Sequence, residues 1–133
     1  MHTAHEIVSA TLANARKMVS DNLRESDKWL VRAIICIFEH QTADEQTSEQ
    51  TKYDNGVGFS GVDSQILSSF AKRIIEHGQA RFPRYQSPLS VRQLEIARRL
   101  MPKYSLQLVR IAKANHNKAM IVASQTALEE SAA

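Results

Sequence analysis

The sequence predicts an all-α protein, with four or five helices around one core in a single domain spanning residues 1–133. Three observations carry that prediction. Apolar residues recur three and four positions apart in several separate segments, the spacing that lines one face of a helix. No segment alternates apolar and polar residues with the period of two expected of a half-buried strand. Hydroxyl residues also stand three positions ahead of Glu or Gln in three places, the spacing of a capping box. A length of 133 residues suits one domain with a sizeable core and is too short for two ordinary ones.

Taken in order, Thr3 and Glu6 open the first helix, on which Ile7, Val8, Thr11, Leu12, Ala15 and Val19 share a face; it is expected to run to about Ser20. Ser26 and Asp27 offer the next start. They precede the most apolar stretch, residues 29–38, where Trp29, Leu30, Ala33, Ile34, Ile37 and Phe38 fall on one side. Val31 and Ile35 make the other side apolar too, as expected of a helix at the centre of the core. Residues 41–51 are polar and acidic and read as a solvated helix extension or a loop; Thr42 and Glu45 would suit a short new helix. Residues 53–62 hold three of the four glycines, so a glycine-rich loop is expected between helices 2 and 3. Asp63 then caps a helix bearing Ile66, Leu67, Phe70, Ala71, Ile74 and Ile75, with Gly78 placed for a left-handed end.

Residues 79–89, with Pro83 and Pro88, read as a loop. Ser90 and Gln93 open a helix with Leu94, Ala97, Leu100 and Met101 inward, interrupted at Pro102. A last helix resumes near Tyr104, with Leu108, Ile111 and Ala112 inward, and reaches about Asn115. The core thus spans about residues 3–115, followed by a tail expected to fray.

Composition excludes several functions. A single cysteine, Cys36, rules out an internal disulfide and a multi-cysteine zinc site. No run approaches the roughly 18 apolar residues of a membrane span, and the amino end lacks a basic-then-apolar signal pattern. A cytoplasmic protein without membrane partners is the expectation. His2, His5, His40, His77 and His116 are scattered, with no H-x-x-x-H or H-E-x-x-H spacing of the kind that puts two metal-binding imidazoles on one helix face. Cys36 sits in the most apolar stretch as an inert core thiol, and Asp44, Glu45 and Glu49 mark a solvated acidic face. No enzymatic activity, metal or cofactor is expected.

The charge is informative. Residues 1–66 hold six Lys/Arg against ten Asp/Glu, a balance of −4; residues 67–133 hold eleven against four, a balance of +7. A cationic half attracts polyanions, so nucleic acid or a nucleoprotein complex is the leading partner. Mutual neutralisation of the halves, within the fold or across a dimer, is the plainer alternative. Arg81, Phe82, Arg84 and Tyr85 interleave cations with rings just before a helix start; arginines contact phosphate while Phe82 and Tyr85 stack on bases, or the rings simply pack on the core. Lys72 and Arg73 upstream, and Arg92, Arg98, Arg99, Lys103 and Arg110 downstream, extend this into a candidate phosphate-contacting face. Glu95 is spaced to neutralise some of it. The segment from Ser90 to Lys113 has a helix-turn-helix outline that would present Lys103, Gln107 and Arg110; a plain helical hairpin fits equally.

Gly56, Gly58 and Gly61 match G-x-G-x-x-G ahead of a helix, a candidate phosphate loop. No strand precedes it and Asp63 puts a carboxylate at the cap, so a tight bend plugging Val57 and Phe59 into the core is the simpler reading. A partial likeness to the hairpin of helix-hairpin-helix modules is the third.

Several strings recur together in order: Trp29-Leu-Val-Arg-Ala33, Gln41-Thr-x-Asp-Glu45, Asn55-Gly-Val-Gly-Phe59, Gly61-Val-Asp63, Leu67-Ser-Ser-Phe-Ala71, Leu89-Ser-x-x-Gln93, Lys103-Tyr104 and Gln107-Leu108. Over roughly residues 28–113 the chain resembles a helical module of phage, plasmid and other mobile-element proteins, sometimes appended to helicase-like DNA-processing enzymes. The resemblance implies a DNA-linked role without assigning catalytic or binding residues, and residues 79–88 read as an insertion relative to the module. Two functions therefore compete. One is a small nucleic-acid-associated protein. The other is a protein-binding module or inhibitor, such as a phage-encoded factor that occupies the surface of a host defence protein. Residues 29–38, if only partly covered, leave a patch for a homo-oligomer.

Overall fold

The computed structural model describes residues 1–47, 58–78 and 88–132, with side chains over residues 1–41, 58–77 and 88–120. The fold is all-α: α1 (Ala4–Ser9), α2 (Leu12–Glu25), α3 (Asp27–Thr47), α4 (Ser64–Gly78), α5 (Val91–Leu100), a 3-10 turn (Met101–Tyr104) and α6 (Ser105–Ala132). Among the described residues there is no strand, and no helix is long and apolar enough to cross a membrane. Five helices have ten residues or more; α1 is a short opening helix of six.

The first predicted helix is in fact two. Thr3 caps α1 reciprocally: the Glu6 N–H donates to Thr3 Oγ1 at 3.2 Å, and the Thr3 N–H donates to the Glu6 carboxylate at 3.4 Å. The backbone then turns extended at Ala10 and Thr11, and Thr11 Oγ1 accepts the Asn14 N–H at 3.3 Å to start α2. This break resets the helical phase. Ile7, Ala15 and Val19 are buried as expected and the stripe continues to Leu23, whereas Leu12 is left 46% exposed. Lys113 on α6 donates its ammonium to the Val8 and Ala10 carbonyls at 2.9 and 2.8 Å, satisfying acceptors that the end of α1 leaves open.

One residue joins α2 to α3. The Ser26 N–H donates to the Asn22 carbonyl at 3.0 Å, closing α2, and Ser26 Oγ accepts the Trp29 N–H at 3.2 Å, opening α3. Helix α3 runs unbroken to Thr47, so Thr42 lies inside a helix rather than capping a new one. It packs against α2, α4, α5 and α6, which explains its two-sided apolarity. Leu30, Ala33, Ile34 and Ile37 are buried, and Trp29, Val31, Ile35, Cys36 and Phe38 are partly so.

Leu67, Phe70, Ala71 and Ile74 bury the inner face of α4, with Ile75 at its edge. The predicted loop at residues 79–87 and the glycine-rich stretch at residues 48–57 lie outside the described residues. Ser90 and Gln93 form the expected capping box of α5, at 2.9 and 3.2 Å. Pro102 sits in the first turn of the 3-10 segment, where its missing N–H costs little. The chain then re-enters α6 directly. Helix α6 continues to Ala132 instead of ending near Asn115, and residues 114–120 are exposed along it.

Candidate functional site

Among the described residues, a dense polar cluster surrounds the segment leading into α4. Gly58 adopts φ +93°, a conformation that favours glycine. Its N–H donates to Gln107 Oε1 at 3.0 Å, while its carbonyl accepts from Gln107 Nε2 at 2.9 Å. The Phe59 N–H donates to Gln41 Oε1 at 2.8 Å, and the Ser60 N–H donates to the Tyr104 hydroxyl at 3.0 Å. Phe59 is buried edge-on against Tyr104, with ring centroids 5.5 Å apart. Side chains from α3, the 3-10 turn and α6 thus take up three consecutive backbone N–H groups.

Asp63 completes the cluster. It occupies the residue before α4, but its carboxylate turns inward, accepting from the Tyr104 hydroxyl at 2.7 Å and from Ser60 Oγ at 3.4 Å. It also pairs with the Lys103 ammonium. Asp63 is 3% exposed. Burial pushes its carboxyl up, yet the hydrogen bonds from Lys103 and Tyr104 outweigh burial and hold it below the ordinary carboxylate range. The bond to Asp63 raises the Lys103 ammonium, and burial above all raises the Tyr104 phenol. Tyr104 is therefore a neutral donor. Every group here is bonded to another, so the arrangement acts as a clasp on the glycine segment.

This clasp bears on two sequence-level readings. Amides 58–60 are engaged by Gln107, Gln41 and Tyr104, which leaves them no donor for a phosphate; Gly61 faces open space, and Gly56 lies outside the described residues. In the helix-turn-helix outline, Lys103 is exposed but paired with Asp63, Gln107 is bonded to Gly58, and Arg110 is exposed. The bend-and-plug reading fits Phe59; Val57 lies outside the described residues.

The predicted basic set divides. Arg98 pairs with Asp27 rather than with Glu95 and ties the end of α5 to the start of α3. A half-exposed pair of this kind contributes about 0–1 kcal/mol. Arg73 Nε donates to the Pro88 carbonyl at 2.9 Å, bringing α4 beside the approach to α5. Lys72, Arg92, Arg99 and Arg110 are exposed. Arg92 and Arg99 line one shallow groove of about 550 Å³ with Val91, Glu95 and Ile96. Arg81, Phe82, Arg84 and Tyr85 lie outside the described residues.

An apolar hollow of about 470 Å³ lies elsewhere, between the amino-terminal segment, α3 and α6. Trp29, Cys36, Leu108 and Ile111 line it, with Arg32 and Asn115 as polar members. Fully buried Asn22 holds its outer wall: the His2 N–H donates to Asn22 Oδ1 at 3.0 Å, and Asn22 Nδ2 donates to the His2 carbonyl at 2.8 Å. Burial raises the Cys36 thiol, with Glu39 adding to the effect. His40 Nδ1 lies 2.8 Å from the Cys36 backbone carbonyl, so it is turned to the backbone rather than to the sulfur. Among the described residues no three His, Cys, Asp or Glu side chains gather to hold a metal.

No family model, curated protein or solved structure matches this chain. Sequence reasoning missed Gln41 and Gln107 as partners of the glycine segment. Their only signal was that both fall in the strings carrying the resemblance, as do Asp63 and Tyr104.

Proposed function

We propose that this chain is a small, non-enzymatic protein that associates with nucleic acid through phosphate contacts made by its basic second half. The α5 groove carries this reading. Arg92 and Arg99 are both exposed on it, seven residues or about 10.5 Å apart along the helix axis. Successive phosphates of one strand advance about 3.4 Å along a duplex, so two such cations reach phosphates about three steps apart. Arg73, bonded to the Pro88 carbonyl, adds a cation beside the approach to α5, and Lys72 is exposed next to it in sequence. A place in the nucleoprotein complexes of mobile elements agrees with the resemblance of the Gln41, Gly58–Phe59, Asp63 and Lys103–Tyr104 strings.

A gel-shift titration at 50 and 200 mM salt tests the reading. Each lost phosphate contact lowers the slope of log K against log[salt] by about 0.9. R92Q/R99Q should therefore shrink the salt-driven loss of affinity between the two concentrations by about twelvefold. Absence of binding at 50 mM salt, or an unchanged slope in this variant, removes the proposal.

The apolar hollow favours a second reading, a protein-binding module that receives an apolar side chain beside Trp29. It predicts a specific protein partner retained after nuclease treatment and lost on reversing Arg32 at the hollow.

A further inference from the structure

Averaged over its length, the first half of the chain is acidic, yet α2 concentrates cations on one surface. Arg16, Ser20 and Arg24 follow each other at intervals of four, which places them in one row along the helix. Lys17 begins the neighbouring row. Arg16, Lys17 and Arg24 are all exposed and line a single groove of about 430 Å³. Its far wall comes from the second half of the chain, at Pro102 of the 3-10 turn and Ser105 at the start of α6.

One carboxylate, Asp21, also borders the groove. Its Oδ2 lies 3.4 Å from His2 Nε2, which engages it toward the amino-terminal segment. Glu25 is exposed and follows Asp21 in the row that Lys17 begins, but it does not border the groove. The groove thus offers three cations and Ser20 against one acid, a more positive balance than in the α5 groove, where Glu95 sits with Arg92 and Arg99. The Ser105 hydroxyl is buried and donates to the Pro102 carbonyl. Arg16 and Arg24 are eight residues apart, about 12 Å along the axis. A polymer with a charge every few ångströms can engage both ends at once; a single small anion cannot.

We propose that the α2 groove is a second phosphate-contacting surface, so that nucleic acid is held by α2 as well as by α5. The proposal rests on the nucleic-acid reading above and adds residues from the half of the chain that the charge balance excluded. The 3-10 turn links the two surfaces, since Pro102 borders the α2 groove three residues after Arg99 borders the other.

The test uses the full chain and a duplex oligonucleotide in gel shifts at 50 and 200 mM salt. R16Q/K17Q/R24Q removes three contacts, which should lower the slope by about 2.7 and shrink the salt-driven loss of affinity about fortyfold. The charge-conserving R16K/R24K should keep the wild-type slope, and circular dichroism should show both variants folded. A triple variant with the wild-type slope, beside a flattened R92Q/R99Q, overturns the α2 surface and leaves the α5 reading standing. Loss of affinity in R16K/R24K equal to that of the triple variant also overturns it, because charge would then not be the cause. A wild-type chain that fails to shift the duplex at 50 mM salt ends both.

Discussion

Replacing Tyr104 with Phe removes one oxygen atom and keeps the ring that packs edge-on against Phe59. The lost hydroxyl donates to the buried Asp63 carboxylate at 2.7 Å and accepts from the Ser60 N–H at 3.0 Å. A hydrogen bond to a charged group contributes roughly 1.5–3 kcal/mol. Ser60 is exposed, so water replaces its partner at little cost. Y104F should therefore lose about 2 kcal/mol. In urea, with a slope of about 1.5 kcal/mol/M, the midpoint followed by Trp29 fluorescence falls by about 1.3 M. The effect depends on pH with a defined sign. Because the folded Asp63 carboxyl titrates below its unfolded value, its contribution is fully present above roughly pH 4 and is lost as pH falls through the lowered folded value. Without Tyr104 that loss begins at a higher pH, and the gap between the two proteins narrows once both are protonated. A midpoint within about 0.3 M of wild type at neutral pH, with unchanged slope, would show that Asp63 does not depend on this hydroxyl.

Three further substitutions probe the architecture. A Cβ on Gly58 would stand 2.6–2.8 Å from Gln41 atoms in a backbone conformation that L-residues avoid, so Gly58→Ala should cost at least about 2 kcal/mol by urea denaturation. Gly61→Ala, into open space, should stay within about 0.5 kcal/mol and serves as its control. Asn22→Ala removes both bonds that hold the His2 backbone; it should cost about 1–3 kcal/mol and speed amide exchange over the first residues, and unchanged exchange there would refute the role assigned to Asn22.

Much of the fold was legible because periodicity and capping are local. The α4 stripe and the Ser90 capping box needed only neighbouring residues to be read, and the central position of α3 followed from its two-sided apolarity. The break at Ala10 was missed because Thr11 looked like an inward residue of a longer helix, whereas its hydroxyl caps Asn14. The length of α6 was underestimated for a similar reason: its distal half has no clean apolar stripe, and helical propensity alone seldom decides a boundary. Site residues were harder. Arg98 had only Glu95 as a local partner and Lys103 had none until the fold brought Asp27 and Asp63 to them across 71 and 40 positions of chain. The Arg16, Lys17 and Arg24 cluster was hidden by averaging charge over a half-chain instead of along one helix face.

The bonds around Gly58 and Asp63 join positions separated by 18 to 49 residues. Local helix growth cannot make them; α3, the 3-10 turn and α6 must all have docked first, because closing such spans costs entropy that only the assembled helices offset. Until then Asp63 is a solvated carboxylate without partners, and taking it out of water is unfavourable. The clasp therefore closes only where all three elements are in place. A chain with the 3-10 turn misplaced deprives the Asp63 carboxylate of Lys103 and Tyr104, and displacing α3 or α6 strips the Phe59 or Gly58 amide of its partner. These penalties favour the native arrangement over compact competitors.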